Sequence, residues 1–243
     1  MTNPVRRALV TGGSGGVGAA ICRRFVQDGH YVYVHAHRAR EEAEALVQQL
    51  RAGGGQSETL CFDVTDAQAA HTAIEHALSA GPIQILVNNA GIHDDAVFPG
   101  MTALQWQRVM AVSLQGFFHV TQPLVMPMLR TRWGRIINVS SVAAQIGNRG
   151  QVNYAAAKGA LISATRALAL EVATRGLTVN AIAPGIIATR MSEDSFDQAA
   201  VMRLVPMQRV GTPAEVADLV GFLAGEGAGY ITGQVVSING GMY

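Results

Sequence analysis

Short apolar runs alternate with longer amphipathic stretches along almost the whole chain. The short runs, rich in β-branched and aromatic residues, predict strands at Arg6–Thr11, Tyr31–His35, Leu60–Phe62, Ile83–Val87, Arg135–Val139, Thr178–Ala183 and Gln234–Ile238. The stretches between them predict helices at Gly16–Asp28, Glu41–Arg51, Ala67–Ser79, Ala103–Leu129, Val152–Thr174 and Pro213–Ala224. Gly53-Gly54-Gly55 ends the second helix, and Pro123 is expected to break the fourth. Strand following helix in this rhythm predicts an α/β, doubly wound, seven-stranded parallel sheet with helices on both faces. No repeat, low-complexity tract or Pro-rich linker interrupts it, so residues 1–243 are expected to form one domain. Ile186–Arg209 is the least regular stretch and is long for such a connection, which marks it as a candidate substrate loop.

Composition narrows the function classes. Hydrophobic residues make up 49% of the 243 positions, enough for a sizeable core and too many for a disordered chain. Charged residues are only 14%, against about 25% in an average soluble domain, which agrees with surface covered by other subunits. The net charge of +1 gives no reason to expect nucleic acid or an anionic membrane as partner. Cys22 and Cys61 lie far apart and form no metal or redox motif, so both read as small buried hydrophobes in a reducing compartment. Arg6-Arg7 is followed by a stretch in which six of the ten residues after Val10 are Gly or Ser, so no secretory signal follows. The longest uncharged run, Val109–Leu129, carries Ser113, Gln115, His119, Gln122, Pro123 and Pro127, too polar a set for a membrane span. A cytoplasmic protein is expected.

The first strand runs into Thr11-Gly12-Gly13-Ser14-Gly15-Gly16-Val17-Gly18 and then a helix. Glycines permit close backbone approach, and the free N–H groups of the helix start attract a phosphate. A turn of this kind alone is also explained by the need for positive φ. Further along stand Asn88-Asn89-Ala90-Gly91, Ser141, Tyr154 with Lys158, and Pro184-Gly185. Together these motifs resemble the short-chain dehydrogenase/reductases over Arg7 to Tyr243. Within that family the segments Asn153–Lys158, Tyr230-Ile231-Thr232-Gly233 and Asn239–Tyr243 are most similar to 3-oxoacyl-[acyl-carrier-protein] reductases. The resemblance implies a Rossmann-type fold and a nicotinamide cofactor.

Tyr154 and Lys158, spaced i, i+4, share one helix face, and Ser141 ends a strand at the same sheet edge. Hydride added to a carbonyl carbon leaves charge on oxygen, which needs a proton. A phenol with a pKa of about 10 is a poor acid until a neighbouring ammonium stabilises its phenolate. A serine hydroxyl orients the substrate oxygen. Of 18 basic residues, Lys158 is the only lysine. A planar guanidinium does not replace a compact ammonium that touches both a ribose and a phenol. The family's fourth catalytic residue, an asparagine, is matched here by Ser113, which can still hold water for a proton relay.

The resemblance also implies cofactor contacts at Gly12, Ser14, Gly15, Gly16, Val17 and Gly18, at the Asp63–Val64 pair, and at Asn89, Ala90 and Gly91. Tyr154, Lys158, Pro184, Gly185, Ile187 and Thr189 complete the set. NAD-using members carry a carboxylate at the end of the second strand, where this chain has Ala36. His37 and Arg38 follow it and favour the 2′-phosphate of NADP. Gly15, however, stands where many NADP-using relatives have a basic residue. His35 and His37 share a strand face without a third ligand, and His71 and His76 are poorly spaced, so no metal is expected.

The subgroup resemblance implies an acyl carrier protein as partner, with Arg132 and Arg175 matching a docking patch at the pocket rim. Gln151 and Ile146–Arg149 are expected near the pocket mouth. A homotetramer is implied, paired through Ala103–Leu129 and Val152–Thr174, with Phe117, Phe118, Met126 and Met128 each a candidate for either a partner contact or the core. Three functions stay open: NADPH-dependent 3-oxoacyl-carrier-protein reduction, dehydrogenation of a small alcohol, sugar or steroid, and a non-catalytic dinucleotide sensor.

Overall fold

The computed structural model describes residues 5–189 and 198–243. Seven parallel strands form one sheet: β1 (Arg7–Val10), β2 (Tyr31–Ala36), β3 (Gln56–Cys61), β4 (Ile85–Asn88), β5 (Gly134–Val139), β6 (Leu177–Pro184) and β7 (Val235–Ile238). Their order, β3-β2-β1-β4-β5-β6-β7, reverses between β1 and β4. That reversal opens a crevice at the carboxyl ends of the strands, where ligands bind in such sheets.

One face of the sheet is covered by α1 (Gly16–Gln27) and α2 (Arg40–Ala52), with α9 (Pro213–Ala224) described below. Phe25, Leu46 and Val220 pack there against Val10, Val34 and Ile182. The other face is covered by α3 (Ala67–Ser79), α5 (Gly116–Thr131) and α7 (Val152–Val172), the last reached after α4 (Ala103–Met110) and α6 (Ala143–Ile146). Ile74, Leu124, Met128 and Val172 pack there against Leu9, Leu86 and Ile136. Local chemistry sets the helix starts. Asp66 accepts from Gln68 N and Ala69 N, each at 3.0 Å, to cap α3. Thr102 with Gln105, and Thr212 with Glu215, form reciprocal capping boxes on α4 and α9.

Three details differ from the sequence expectation. β3 begins at Gln56, four residues earlier than its apolar signal, because it is an edge strand whose Gln56, Glu58 and Thr59 keep contact with water, while Ser57 is buried with its Oγ donating to Val47 O at 3.4 Å. The long helix is not broken at Pro123. Its irregularity is a π-turn at Ala111–Gln115, and Pro123 and Pro127 lie inside α5, where buried Leu124 and Met128 hold the helix to the sheet. Within Ile186–Arg209, α8 (Gln198–Leu204) forms a helix, and Val201 and Val205 pack on Ile186, while residues 190–197 lie outside the described residues. Ala103–Thr131 is long and apolar enough to cross a membrane, with mean hydropathy 1.2, yet it packs on the sheet through Val120, Leu124 and Met128.

Candidate active site

A buried chain of amides and hydroxyls ties α5 and α7 to the strand ends. Asn88 Nδ2 donates to Thr121 Oγ1 and to Asn138 Oδ1, both at 2.9 Å. Asn138 Nδ2 donates to Thr165 Oγ1 at 2.8 Å, and Thr165 donates to Leu161 O at 2.7 Å. Each member is satisfied, so the chain fixes helix position without a desolvation penalty. Asn88 begins a motif visible in the sequence, but its partners on α5 and β5 were not.

The start of α7 brings Tyr154 and Lys158 to the carboxyl end of β5. Lys158 is 2% exposed and its Nζ donates to Val139 O at 2.7 Å. Ser140 Oγ donates to Lys158 O at 2.9 Å. The ammonium lies 5.7 Å from the Tyr154 ring centroid, and a Cβ on Gly91 would sit 3.1 Å from it. Burial pushes the Lys158 pKa down to about 8. Ser141 hydrogen-bonds the Tyr154 side chain, and its Oγ also accepts from Ala143 N at 3.1 Å. The expected fall in the tyrosine pKa is not what the surroundings produce. Burial raises it, the Ser141 hydrogen bond lowers it, the Asp95 charge raises it, and the net direction is up. Ser113 lies in the π-turn that packs against α7, and its buried Oγ makes no hydrogen bond to the protein.

The glycine turn is braced from β4. Thr11 Oγ1 accepts from Asn89 N at 2.9 Å and from Ala90 N at 3.0 Å, while Asn89 Nδ2 donates to Thr11 O at 2.9 Å. Gly12 has φ +62°, and a Cβ there would come within 3.0 Å of Asn89 Nδ2. His35 gives a second brace that the sequence reading passed over as an ordinary strand residue. Gly12 N donates to its Nδ1 at 3.0 Å, which leaves Nε2 to donate to Phe62 O at 3.0 Å. Burial holds the imidazole neutral, with its pKa down at about 4. One ring thus links the phosphate-type turn to the segment that ends in Asp63 and Val64. His119 adds a similar tie, its Nδ1 lying 2.9 Å from Val64 O.

Three comparisons now bear on this geometry. The family model described as short chain dehydrogenase matches residues 6–200. The chain belongs to the short-chain dehydrogenase family. It is 43% identical over 236 residues to the 3-oxoacyl-[acyl-carrier-protein] reductase FabG of Aggregatibacter actinomycetemcomitans, covering 96% of this chain and 98% of that protein. It is 44% identical over 240 residues to nodulation protein G of Azospirillum brasilense, covering 97% of each. A crystal structure from Agrobacterium tumefaciens, provisionally described as a gluconate dehydrogenase, superposes with TM-score 0.94 at 30% identity, over 98% of this chain and 95% of that one.

For a short-chain dehydrogenase, the residues present fit a dinucleotide. The start of α1 is open: Gly15 and Gly16 are exposed, and Ser14 and Val17 are half-buried. A Cβ on Gly16 would meet Thr189 Cγ2 at 3.1 Å, and one on Gly18 would strike Gly12 O. Pro184 O accepts from Val142 N at 2.8 Å, and Gly185 packs too closely on Asn239 for a side chain; beyond it Ile187 bridges to Gly211 and Thr189 lies beside Gly16. At the end of β2 no carboxylate follows Ala36, and His37 and Arg38 are exposed. His37 Nε2 lies 3.6 Å from Asp63 Oδ2, so Arg38 is the cation there without such a partner among the described residues. Asp63 also accepts from Thr65 N and Oγ1, each at 2.8 Å, which with the nearby cations holds its pKa below the ordinary value.

Gln151 stands at the N-terminal end of α7 and donates from Nε2 to Asp95 Oδ2 at 2.9 Å. Arg132 and Arg175 are not at the rim. They precede β5 and β6, at the amino edge of the sheet, and α7 alone separates Tyr154 from Val172 by about 27 Å at 1.5 Å per residue. A parallel sheet with its crevice at the carboxyl edge dictates this, since residues before a strand lie at the other end. Among the described residues no three His, Cys, Asp or Glu side chains gather to hold a metal. Both cysteines are free; Cys22 is buried, which raises its pKa, whereas Cys61 is exposed at the end of the edge strand β3 and so is not the buried residue expected.

Proposed function

We propose that the chain is an NADPH-dependent reductase that converts 3-oxoacyl thioesters, carried by acyl carrier protein, to 3-hydroxyacyl thioesters. The observation that carries this reading is the meeting of Ser141, Tyr154 and the buried Lys158 beside the glycine turn. NADPH held by the glycine turn, Arg38, Asp63 and Lys158 would supply the hydride. Ser141 donates a hydrogen bond to the ketone oxygen and fixes its direction. The raised pKa of Tyr154 keeps the phenol protonated until that oxygen becomes negative, when it gives up its proton. Lys158 then stabilises the phenolate, and with one protein acceptor on Nζ it has two N–H donors left for a ribose and a relay. Ser113 Oγ, unpaired and buried, is suited to orient a relay water.

Support for the carrier-bound substrate comes from the reductases that the chain resembles over nearly its full length. The amino-edge position of Arg132 and Arg175 separates them from their own chain's Tyr154. Carrier docking through them therefore belongs to an assembled oligomer, in which one chain's arginines serve another chain's site. We assign a single cytoplasmic domain that forms a homotetramer, its exposed Phe118, Met126 and Leu170 covered by neighbours. The structural likeness to a gluconate dehydrogenase favours a second reading, oxidation of a sugar acid. NADPH oxidation with an acetoacetyl thioester, set against simple ketones and against gluconate with NADP, decides between them. Turnover of gluconate without turnover of the thioester overturns the first reading.

A further inference from the structure

The segment after β4 places two adjacent carboxylates beside the mouth of the site, and they are treated differently. Asp94 is neutralised: Arg108 Nη1 lies 3.0 Å from its Oδ2, and Gln105 Nε2 donates to its Oδ1 at 3.0 Å. Asn153, which is buried, also donates to Asp94 O at 2.9 Å, so this part of the segment is fixed to α4 and α7. Asp95 receives the neutral amide of Gln151 at 2.9 Å. Its charge partner is His93, 3.3 Å away, a cation only when protonated. Gln151 stands three residues before Tyr154 at the start of α7, so this bond holds the Asp95 carboxylate at the end of α7 that carries the phenol. The charge is felt there, since it pushes the Tyr154 pKa upward. Lys158, 5.7 Å from the Tyr154 ring centroid, is buried and donates to Val139 O.

We propose that Asp95 acts as a charge filter at the mouth, admitting ketones that are neutral beside the reacting carbonyl and opposing those that carry a carboxylate there. The inference rests on the reductase reading and narrows its substrate class to neutral 3-oxo thioesters and esters, against 3-oxo acids and sugar acids. A like charge about 6 Å away in partly wet surroundings weakens binding roughly tenfold. A thioester has no charge near its ketone and escapes this term.

The test uses the full chain with NADPH and two small substrates of similar shape, acetoacetate and ethyl acetoacetate. The readout is the ratio of kcat/KM for the acid over the ester. Asp95→Asn is expected to raise the ratio about tenfold, and Glu75→Gln, which removes a remote exposed charge on α3, is expected to leave it unchanged. His93→Arg, which sets a permanent cation beside Asp95, is expected to raise the ratio in the same direction and keeps the test available if Asp95→Asn does not fold. Added salt is expected to raise the ratio in the wild type more than in Asp95→Asn. An unchanged ratio in both Asp95→Asn and His93→Arg overturns the filter while leaving the reductase reading intact. Failure of the wild type to reduce either the ester or an acetoacetyl thioester overturns the reductase reading itself.

Discussion

Two buried cations stand at opposite edges of the same sheet. Arg135, at the amino edge, is 3% exposed and surrounded by acceptors: Gly134 O at 3.0 Å, Gly176 O and Gly225 O at 3.4 Å, and Glu226 at 3.8 Å. Its guanidinium also lies 4.3 Å from the Trp133 ring, which Arg6 covers from 4.2 Å. Lys158, at the carboxyl edge, is equally buried and has one carbonyl. A five-donor fork can be satisfied by the protein alone, whereas an ammonium with unused donors needs a ligand. Burial lowers the pKa of both, and in the proposed reaction only at Lys158 would the cost of a poorly solvated charge serve chemistry. The contrast distinguishes a cation that stabilises the fold from one held ready for substrate and cofactor.

The contrast breaks most visibly at its catalytic end. Tyr154→Phe is expected to lower ketone reduction by at least about 10²-fold, with NADPH affinity nearly unchanged, because the phenol acts on the substrate. More than a tenth of the wild-type rate would remove Tyr154 from its role. Lys158→Met is expected to abolish turnover and yet stabilise the fold. Its pKa of about 8 in the folded chain lies below the ordinary 10.5, so unfolding takes up a proton between those values and wild-type stability rises with pH across that window. Removing the charge at pH 7 is worth about 3 kcal/mol by this linkage, read as a higher midpoint in denaturant. The wild-type reduction rate is expected to fall as pH rises through about 8 and the ammonium is lost.

A smaller effect is expected at His35. His35→Ala removes the ring that ties the glycine turn to Phe62, leaving the Thr11–Asn89 brace in place, and is expected to weaken NADPH binding about tenfold, roughly two hydrogen bonds at a net 0.5–1.5 kcal/mol each, with kcat at saturating cofactor changed less. The folded pKa near 4 against the ordinary 6.5 means that unfolding takes up a proton as pH falls through that interval. The wild type is therefore expected to lose stability from pH 6.5 to 4, and the variant to show a flatter slope in the same titration. Ala36→Asp is expected to narrow the preference for NADPH over NADH several-fold, since a carboxylate repels a 2′-phosphate and suits a ribose. Equal use of both cofactors by the wild type would refute the reading of β2. Smallest of all, Glu226→Gln at the amino edge is expected to leave kcat unaltered and cost less than about 1 kcal/mol, because its carboxylate is half exposed.

The sheet was legible because its central strands are continuous apolar runs, a pattern that a strand buried on both faces imposes. β3 was seen only at Leu60–Phe62 because an edge strand has no such pattern, and Gln56–Thr59 satisfy a ladder that sequence does not display. Ser141, Tyr154 and Lys158 were legible by type and spacing. His35 was not, since its role depends on Gly12 and Phe62 approaching from two other elements. The edge occupied by Arg132 and Arg175 is legible in the strands they precede, since a residue just before a parallel strand lies at the amino edge.

The solitary lysine has a practical consequence. An endoprotease that cuts after lysine finds one bond in the chain, Lys158–Gly159, and that bond lies inside a helix. Cleavage yields residues 1–158 and 159–243 and nothing else. Because the target is at the centre of the molecule and not on a frayed loop, the rate of that single cut reports how often the folded chain opens. Any small molecule that binds the folded site slows it by mass action, so a two-band gel serves as a ligand screen that needs neither a chromophore nor a known substrate.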